Sequence, residues 1–280
     1  MESGRSINSR RKYKTMKPIR IGLVGYGRAG RTAAQEIVND PELSLAWVAR
    51  RHWRKDEVSR LEGVRIVNVA ETGVAALTSD ELADPVVAGR HRTDLVVDLA
   101  GSAAVRSYAH LARRGARIVS AVSHYESPDL AVLRGASRHA AVLHSPNITL
   151  GINLIMVVAR ILKKLIPHAD IQILEEHFSA KSGRSGTAER LARILGIEPD
   201  DCIRSIRAGG IIGKHELIFG LPNQTIRLVH ESVNRAAFAR GALLAGKWLM
   251  AAPADFYSME ELVFRKMRAG FLAEAEEEAA

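Results

Sequence analysis

The sequence predicts an α/β protein: a doubly wound parallel sheet, followed by a separate α+β domain with a mixed sheet. Three observations predict it. Through residue 144, short β-branched runs alternate with helix-like stretches, the pattern of parallel strands covered on both faces. A glycine-rich turn, Gly25-Tyr26-Gly27-Arg28-Ala29-Gly30, stands between the first such strand and the first helix. After Ser145-Pro146-Asn147 the order changes, and strands and helices become segregated.

Taken in order, Ile19 to Val24 reads as a buried strand and Thr32 to Val38 as a helix. Leu43 to Ala49 is the second strand and Leu95 to Leu99 the third. A helix over Ala103 to Arg113, a strand over Arg117 to Val122, a helix over Leu130 to Ala136 and a strand over Ala140 to His144 complete the first half. Between Arg54 and Arg92 the pattern is vague, and no element is assigned. Beyond Pro146, Thr149 to Ile166 reads as an amphipathic helix, capped by Thr149 and ended by Pro167. An apolar run, Ile171 to Leu174, then forms a strand, and a helix runs from Ala188 to about Leu195. A strand near Ile203 to Ala208 follows. Next comes a hairpin of Ile211 to Phe219 and Thr225 to Glu231, turning at Gly220-Leu221-Pro222-Asn223. Arg235 to Met250 closes this half as a helix.

Composition bounds the function. Of 280 residues, 47% are hydrophobic and 25% charged, which suits a soluble globular protein. Apolar stretches such as Ile152 to Ala159 are too short to span a membrane. The basic N-terminal residues are followed by no apolar core, so no secretion signal is expected and a cytoplasmic location is. Cys202 is the single cysteine, which excludes an internal disulfide and a cysteine-based metal site, and no metal is expected. The net charge of +9 includes a tail bearing Arg5, Arg10, Arg11, Lys12, Lys14 and Lys17 against Glu2. That tail reads as a solvated, disordered extension over 1–17, with no nucleic-acid partner expected. The basic remainder suits phosphates and acidic substrates.

The turn at Gly25, Tyr26, Gly27, Arg28, Ala29 and Gly30 is a G-x-G-x-x-G in strand-turn-helix context, the Rossmann-type fingerprint of a dinucleotide site. Its first glycine permits the tight turn, the second admits the pyrophosphate, and the third lets helix and strand pack closely. The second strand ends in Ala49-Arg50-Arg51, where an acidic residue would accept the ribose hydroxyls of NAD. Arg50 and Arg51 suit a 2′-phosphate instead, so NADPH is favoured, with NADH the other candidate.

The richest segment is Glu175-Glu176-His177-Phe178-Ser179-Ala180-Lys181-Ser182-Gly183-Arg184-Ser185-Gly186-Thr187-Ala188. A strand ends in His177, Lys181 follows four residues later, and a Ser-Gly-Thr turn opens a helix. One loop thus carries a proton donor, a fixed positive charge and free backbone N–H groups, which together can hold a carboxylate and protonate what is attached to it.

With both halves read, the chain resembles the dihydrodipicolinate reductase family. The matching stretches are Ser145 to Leu154, Glu175-Glu176-His177 with Lys181, Ser185-Gly186-Thr187-Ala188, Arg207-Ala208-Gly209, Ile212 to Glu216, Phe238 to Ala242, and Tyr257 to Glu261. The resemblance covers nearly the whole chain after Lys17. It implies hydride transfer from a nicotinamide to a small anionic substrate, a cyclic unsaturated imine with two carboxylates. His177 would be the proton donor, and Lys181 would supply a proton or positive charge. Ser185, Gly186 and Thr187 would hold a carboxylate. By the same resemblance Ala100, Gly101, Ser120 and Val122 flank the nicotinamide, and the chain forms a homotetramer through its second domains. The implied division is a dinucleotide-binding domain over 18–146 and a substrate-binding and oligomerisation domain over 147–252. A segment over 253–280 would return to the first domain and fray at its end.

The chain departs from the family pattern at several points. Phe178 replaces a second histidine, and Gly183-Arg184 replaces Asp and Pro in a loop one residue shorter. Ser120-Ala121-Val122-Ser123 stands for Gly-Thr-Thr-Gly, Asp98-Leu99-Ala100 stands for Asp-Phe-Thr, and the glycine fingerprint has the common spacing. On this reading Phe178 and Arg184 are substrate contacts, an apolar wall and a carboxylate fork. The departures favour a divergent paralogue that reduces a different cyclic imine or conjugated acid. The alternative is an authentic 4-hydroxy-tetrahydrodipicolinate reductase of lysine and diaminopimelate biosynthesis. A further alternative is a non-catalytic NADPH-binding sensor. The glycine turn and the Arg50-Arg51 strand end also look like meso-diaminopimelate dehydrogenase, a resemblance confined to the first half.

Overall fold

The computed structural model describes residues 17–278, so the basic tail up to residue 16 lies outside the described residues. The first half is built from β1 (Ile19–Val24), α1 (Arg28–Asn39), β2 (Leu43–Arg50), β3 (Ser59–Leu61), β4 (Val64–Val69), β5 (Thr72–Thr78), α2 (Ser79–Ala83), α3 (Pro85–Arg90), β6 (Leu95–Asp98), α4 (Val105–Tyr108), β7 (Arg117–Ser120), α5 (Ser127–Ala136) and β8 (Val142–His144). The second half adds α6 (Leu150–Leu165), β9 (Asp170–His177), α7 (Gly186–Leu195), α8 (Pro199–Cys202), β10 (Ile203–Arg207), β11 (Lys214–Leu221), β12 (Gln224–Glu231), α9 (Ala236–Leu249), β13 (Phe256–Tyr257) and α10 (Met259–Glu278).

The large sheet has the order β13-β8-β7-β6-β1-β2-β5-β4-β3. It is parallel from β13 to β5 and antiparallel at the β5-β4-β3 edge. The chain runs outward from β1 through β2 and β5, then crosses back to β6 on the other side. That reversal leaves a crevice beyond the carboxyl ends of β1 and β6, where a doubly wound sheet binds its ligand. Strands β1, β6 and β7 are mostly apolar and buried because helices cover both faces, in keeping with the apolar-rich runs IRIGLV, LVVD and RIVS.

The β3-β4-β5 meander occupies the stretch that the sequence left unassigned. Its turns lie at Glu62-Gly63 and Ala70-Glu71, and all four residues have positive φ. Residues at φ > 0 in both turn positions match the twist of a two-residue hairpin. Ala and Glu are rare there, so the turn carries no sequence signal. The helix expected over Ala103 to Arg113 is α4 flanked by two 3₁₀ segments, Ser102–Ala104 and Ala109–Arg114, a tighter winding than expected.

The second sheet, β10-β9-β11-β12, is mixed: β10 pairs parallel with β9, and β11 pairs antiparallel with both β9 and β12. The hairpin is tighter than expected, turning at Pro222-Asn223 alone, with Gly220 and Leu221 inside β11. Proline presets the first turn position and Asn223, at φ 65°, takes the left-handed second one. Ile211 to Gly213 precede the strand. One face of this sheet packs on α6 and α7 through Ile152, Met156, Ile173, Leu191, Leu217 and Phe219.

Thr149 stands at the N-terminus of α6, but its side chain makes no capping bond there. Helix α9, placed with the second domain in the sequence reading, has its buried face (Ala239, Ala242, Leu243, Ala245, Leu249) in the core over the large sheet, against α1. The chain therefore crosses back before residue 236, well short of 252. β13 then extends the large sheet beside β8, and α10 packs against α6.

Candidate active site

The glycine turn has the shape a pyrophosphate needs. Gly25 has φ +93°, and a Cβ there would meet Ala100 N at 2.9 Å. A Cβ on Gly30 would lie 2.0 Å from Gly25 O, so helix and strand touch backbone to backbone. Nothing lies within 4 Å of the space above Gly27. Helix α1 begins there with no side-chain cap and no acidic residue in its first turn, so its leading N–H groups and dipole face outward. Arg28 is exposed and Ala29 half-buried at this helix start. These residues fit a dinucleotide: Gly25 to Gly30 would hold its phosphates, with Ala100 and Gly101 across the crevice.

The neighbouring sequence-predicted contacts divide. Tyr26 is buried and packs its ring 5.6 Å from that of Trp53. Arg50 is ion-paired to Glu57, whereas Arg51 is exposed. Ser120 and Val122 have buried side chains. The Ser120 hydroxyl lies 2.8 Å from Tyr125 Oη, and the Val122 carbonyl lies 3.0 Å from His144 Nε2. Ser123 and His124, one step further on, line the cleft instead.

That cleft, about 560 Å³, runs between the loop after β7 and the second sheet. It is lined by His177 and Lys181, by Ser185, Gly186 and Thr187, and by Asn147 from the crossing between halves. The loop singled out in the sequence thus converges on one cavity. Two of the site residues predicted in it do not. Phe178 is 44% exposed, and Arg184 pairs with Asp200; neither lines the cleft. Their expected place as substrate contacts is corrected by strand geometry. His177 points to the buried side of β9, so Phe178, the next residue, points away. Arg184 is drawn to Asp200 at the start of α8.

Behind His177 lies a network that the sequence reading missed. Strand β9 alternates, with Ile171, Ile173, Glu175 and His177 on its buried face. Glu175 is fully buried, and its Oε2 lies 2.5 Å from His177 Nδ1. Arg207, opposite His177 on β10, donates to both Glu175 oxygens at 2.6 and 2.9 Å, and Ser205 donates to Oε1 at 2.5 Å. Burial pushes the Glu175 carboxyl up, but Arg207, Ser205 and His177 outweigh it and hold the group at about 2. Arg207 also donates to the carbonyls of Lys181 (3.1 Å) and Gly183 (2.6 Å), so one guanidinium fixes both the histidine's partner and the lysine loop. The alternation I-x-I-x-E-x-H was a readable signal: a carboxylate on the apolar face of a strand needs a partner.

Burial pulls His177 below the ordinary histidine value, opposed by Glu175. With its Nδ1 turned to the carboxylate, its Nε2 lies on the Gly213 side, where a Cβ would come within 3.2 Å. His215 packs edge-on against His177, ring centroids 5.3 Å apart, with its Nε2 2.9 Å from the Ser185 hydroxyl. Burial, with His177 beside it, depresses His215 to about 3, so it is neutral. Ser185 caps α7 by accepting from Thr187 N, and the Thr187 hydroxyl donates to Asn147 Oδ1 at 2.6 Å. Among the described residues the Lys181 ammonium makes no hydrogen bond or ion pair, leaving its charge for the cleft. No group of three or more His, Cys, Asp or Glu among them is arranged to hold a metal ion, and no helix is long and apolar enough to cross a membrane.

The dinucleotide crevice, with a cationic, acid-bearing cleft beside it, defines a two-domain NAD(P)H-dependent oxidoreductase. The family model described as dihydrodipicolinate reductase, N-terminus, matches residues 19–148, and the one described as its C-terminus matches 151–263. The chain belongs to the dihydrodipicolinate reductase family. A protein of Methanopyrus kandleri named 4-hydroxy-tetrahydrodipicolinate reductase is 30% identical over 274 residues, covering 87% of this chain and 97% of its own. One of the same name from Hahella chejuensis is 25% identical over 270 residues, covering 87% and 98%. Among solved structures, a dipicolinate-bound dihydrodipicolinate reductase from Paenisporosarcina sp. TG-14 shares the fold at TM-score 0.68 and 19% identity, covering 86% of this chain and 97% of that one. The C. glutamicum DAP dehydrogenase in complex with DAP shares it at 0.55 and 13%, covering 88% and 94%.

Proposed function

We propose that this chain reduces a cyclic imine bearing two carboxylates, and that its substrate is the one its relatives are named for, 4-hydroxy-tetrahydrodipicolinate. The observation that carries this reading is the convergence of His177, Lys181 and Ser185-Gly186-Thr187 on one cleft that reaches Ser123 and His124 of the dinucleotide half. Phe178 and Arg184 were the main ground for expecting another substrate, and both stand off that cleft. The full-length relatives carry the authentic enzyme's name. A second reading, reduction of a different cyclic imine, draws on Ser120 and Val122, which pack inward where the family pattern has Gly-Thr-Thr-Gly.

A bound NADPH, or NADH, supplies the hydride to the ring. The chain's own residues do the rest. The Lys181 ammonium attracts one carboxylate, and the first N–H groups of α7 bond it. Loss of the ring hydroxyl as water leaves a conjugated dihydro imine; hydride addition to it puts negative charge on the conjugated system, which a proton from His177 Nε2 neutralises, so one hydride and one proton are added across the reduced bond and water is the other product. Glu175 holds the Nδ1–H and so keeps Nε2 toward the cleft. A dianionic substrate beside His177 favours its protonated form and offsets the effect of burial. A sensor would need none of these groups together.

The test is binding of dipicolinate, a planar dicarboxylate, to the chain saturated with NADPH. Calorimetry should show one site per chain, with affinity lost in Lys181→Met and Ser185→Ala while NADPH binding persists. Binding unaffected by both changes would overturn the assignment of the cleft.

A further inference from the structure

Two stretches form the dinucleotide side of the cleft: 99–104 after β6, which brings Ala100 and Gly101 to the crevice, and 121–126 after β7, which brings Ser123 and His124 to the cleft. Behind both lies a buried polar cluster with no part in the acid-and-anion chemistry. Asp98, at the end of β6, has no exposed surface. Its Oδ1 accepts the Ala100 N–H at 2.8 Å, and its Oδ2 accepts the Tyr108 hydroxyl at 2.6 Å. Ser120 stands opposite Asp98 on β7, and His144 stands opposite Ser120 on β8. Tyr125 comes back over this row. Its Oη lies 2.8 Å from Ser120 Oγ and 3.4 Å from both Tyr108 Oη and Asp98 Oδ2, and its ring packs edge-on against His144 at 5.1 Å.

Residues 121–124 are thereby pinned at both ends, and His144 Nε2 lies 3.0 Å from the Val122 carbonyl in their middle. The Ala121 N–H donates to the Asp98 carbonyl at 2.9 Å, so the two stretches leave the sheet side by side. A second tie joins them further out. Ser102 Oγ accepts the Glu126 N–H at 2.8 Å and donates to Asp129 Oδ2 at 2.6 Å, and Arg106 holds the other Asp129 oxygen at 2.5 Å. The family pattern puts two glycines in the loop after β7. Ser120-Ala121-Val122-Ser123 has none, so fewer backbone conformations are open to it. Burial pushes Tyr108 and Tyr125 above the usual phenol range, so both keep the protons these bonds need.

We infer that Tyr125 is a positioning residue for hydride transfer: by joining Ser120 to the Asp98-Tyr108 pair it sets the loop 121–124 before substrate arrives, and so fixes the crevice wall at Ala100 and Gly101 against the Ser123-His124 edge of the cleft. Tyr125 does not line the cleft, so it acts through the loop it closes. Hydride transfer needs donor and acceptor carbons in near contact, and a displacement of about 1 Å costs roughly 10²-fold. A loop free to move would still hold nucleotide and substrate but would bring them together less often. The inference rests on the reductase reading proposed above.

Tyr125→Phe removes one oxygen, keeps the ring against His144 and leaves the Asp98-Tyr108 bond. In single turnovers of the full chain with NADPH and 4-hydroxy-tetrahydrodipicolinate, followed by stopped flow, the hydride-transfer rate should fall about tenfold, while the NADPH dissociation constant stays within about twofold. With NADPH deuterated at the transferred position, the isotope effect on kcat should rise toward its single-turnover value, because the slowed step comes to limit the rate. A merely structural role would leave it unmoved. Ser120→Ala removes the partner oxygen, should give the same loss, and serves if Tyr125→Phe does not fold. The double variant should be no slower than either single one, since both break one bond. Unchanged rates and isotope effects in both variants, or losses that multiply in the double, would overturn the role of Tyr125 and leave the reductase reading intact. An unaltered chain that binds NADPH and transfers no hydride to the imine would overturn both.

Discussion

Glu175 and His177 lie two residues apart on β9, on the same buried face, with Oε2 and Nδ1 2.5 Å apart. This pairing fixes which nitrogen carries the inward proton and aims the other at the cleft. A histidine so held needs no reorientation before it donates.

Glu175→Gln should therefore lower kcat by about 10²-fold or more while leaving the dinucleotide dissociation constants unchanged. Glu175 raises the proton affinity of His177. Its loss should move the alkaline fall of the rate profile to lower pH. A profile unmoved by the change would mean that His177 is not the group that titrates.

Arg207 couples two parts of the site, and its removal should loosen both. Arg207→Ala strands a fully buried carboxylate and should cost about 3–5 kcal/mol in urea unfolding. Arg207→Lys keeps the charge but cannot span Glu175 and the carbonyls of Lys181 and Gly183 together. Steady-state kinetics should show a raised KM as well as a lowered kcat, because the lysine loop loses its tether.

Restoring histidine at an exposed position should do little. Phe178→His should leave kcat/KM within about threefold, as surface changes away from a site usually do. A gain of tenfold or more would return that side chain to the substrate's reach.

Acid stability should carry the signature of His215. The unfolded histidine takes a proton near pH 6.5 and the folded one only near pH 3, so the unfolded state binds more protons between these values. Stability from this group is complete above about 6.5 and is lost as pH falls toward 3. Glu175, held at about 2 against 4.5 unfolded, acts in the same sense lower down, losing its contribution between those values. Asp98, raised to about 6 by burial, acts in the opposite sense, costing stability as pH rises from 3.8 to 6. Comparison with His215→Asn isolates the histidine. The slope of stability against pH over 3–6.5 should fall by up to one proton, measured by denaturant unfolding at several pH values.

The parts of the fold legible in the sequence were those with strong local signals. Short apolar-rich runs marked β1, β6 and β7, and the glycine turn located the crevice. The β3-β4-β5 meander was hidden because Ala70 and Glu71 occupy a turn that Asn and Gly usually mark. The site divided along the same line. His177, Lys181 and Ser185-Gly186-Thr187 were visible because a short loop carries them all. Arg207, Ser205 and His215 reach the site from other strands, and the register that brings them there is a tertiary property. Phe178 and Arg184 were misplaced because adjacency in sequence does not fix the side of a strand or a competing ion pair such as Asp200.

Mixing the chain with NADPH and freshly synthesised 4-hydroxy-tetrahydrodipicolinate, and following the nicotinamide absorbance, decides whether the cleft is a working reductase site. The reductase assignment predicts multiple turnovers at an ordinary enzyme rate, on the order of 1–10³ per second, reduced about 10²–10⁴-fold in His177→Gln with NADPH affinity retained. NADPH binding without turnover would contradict it.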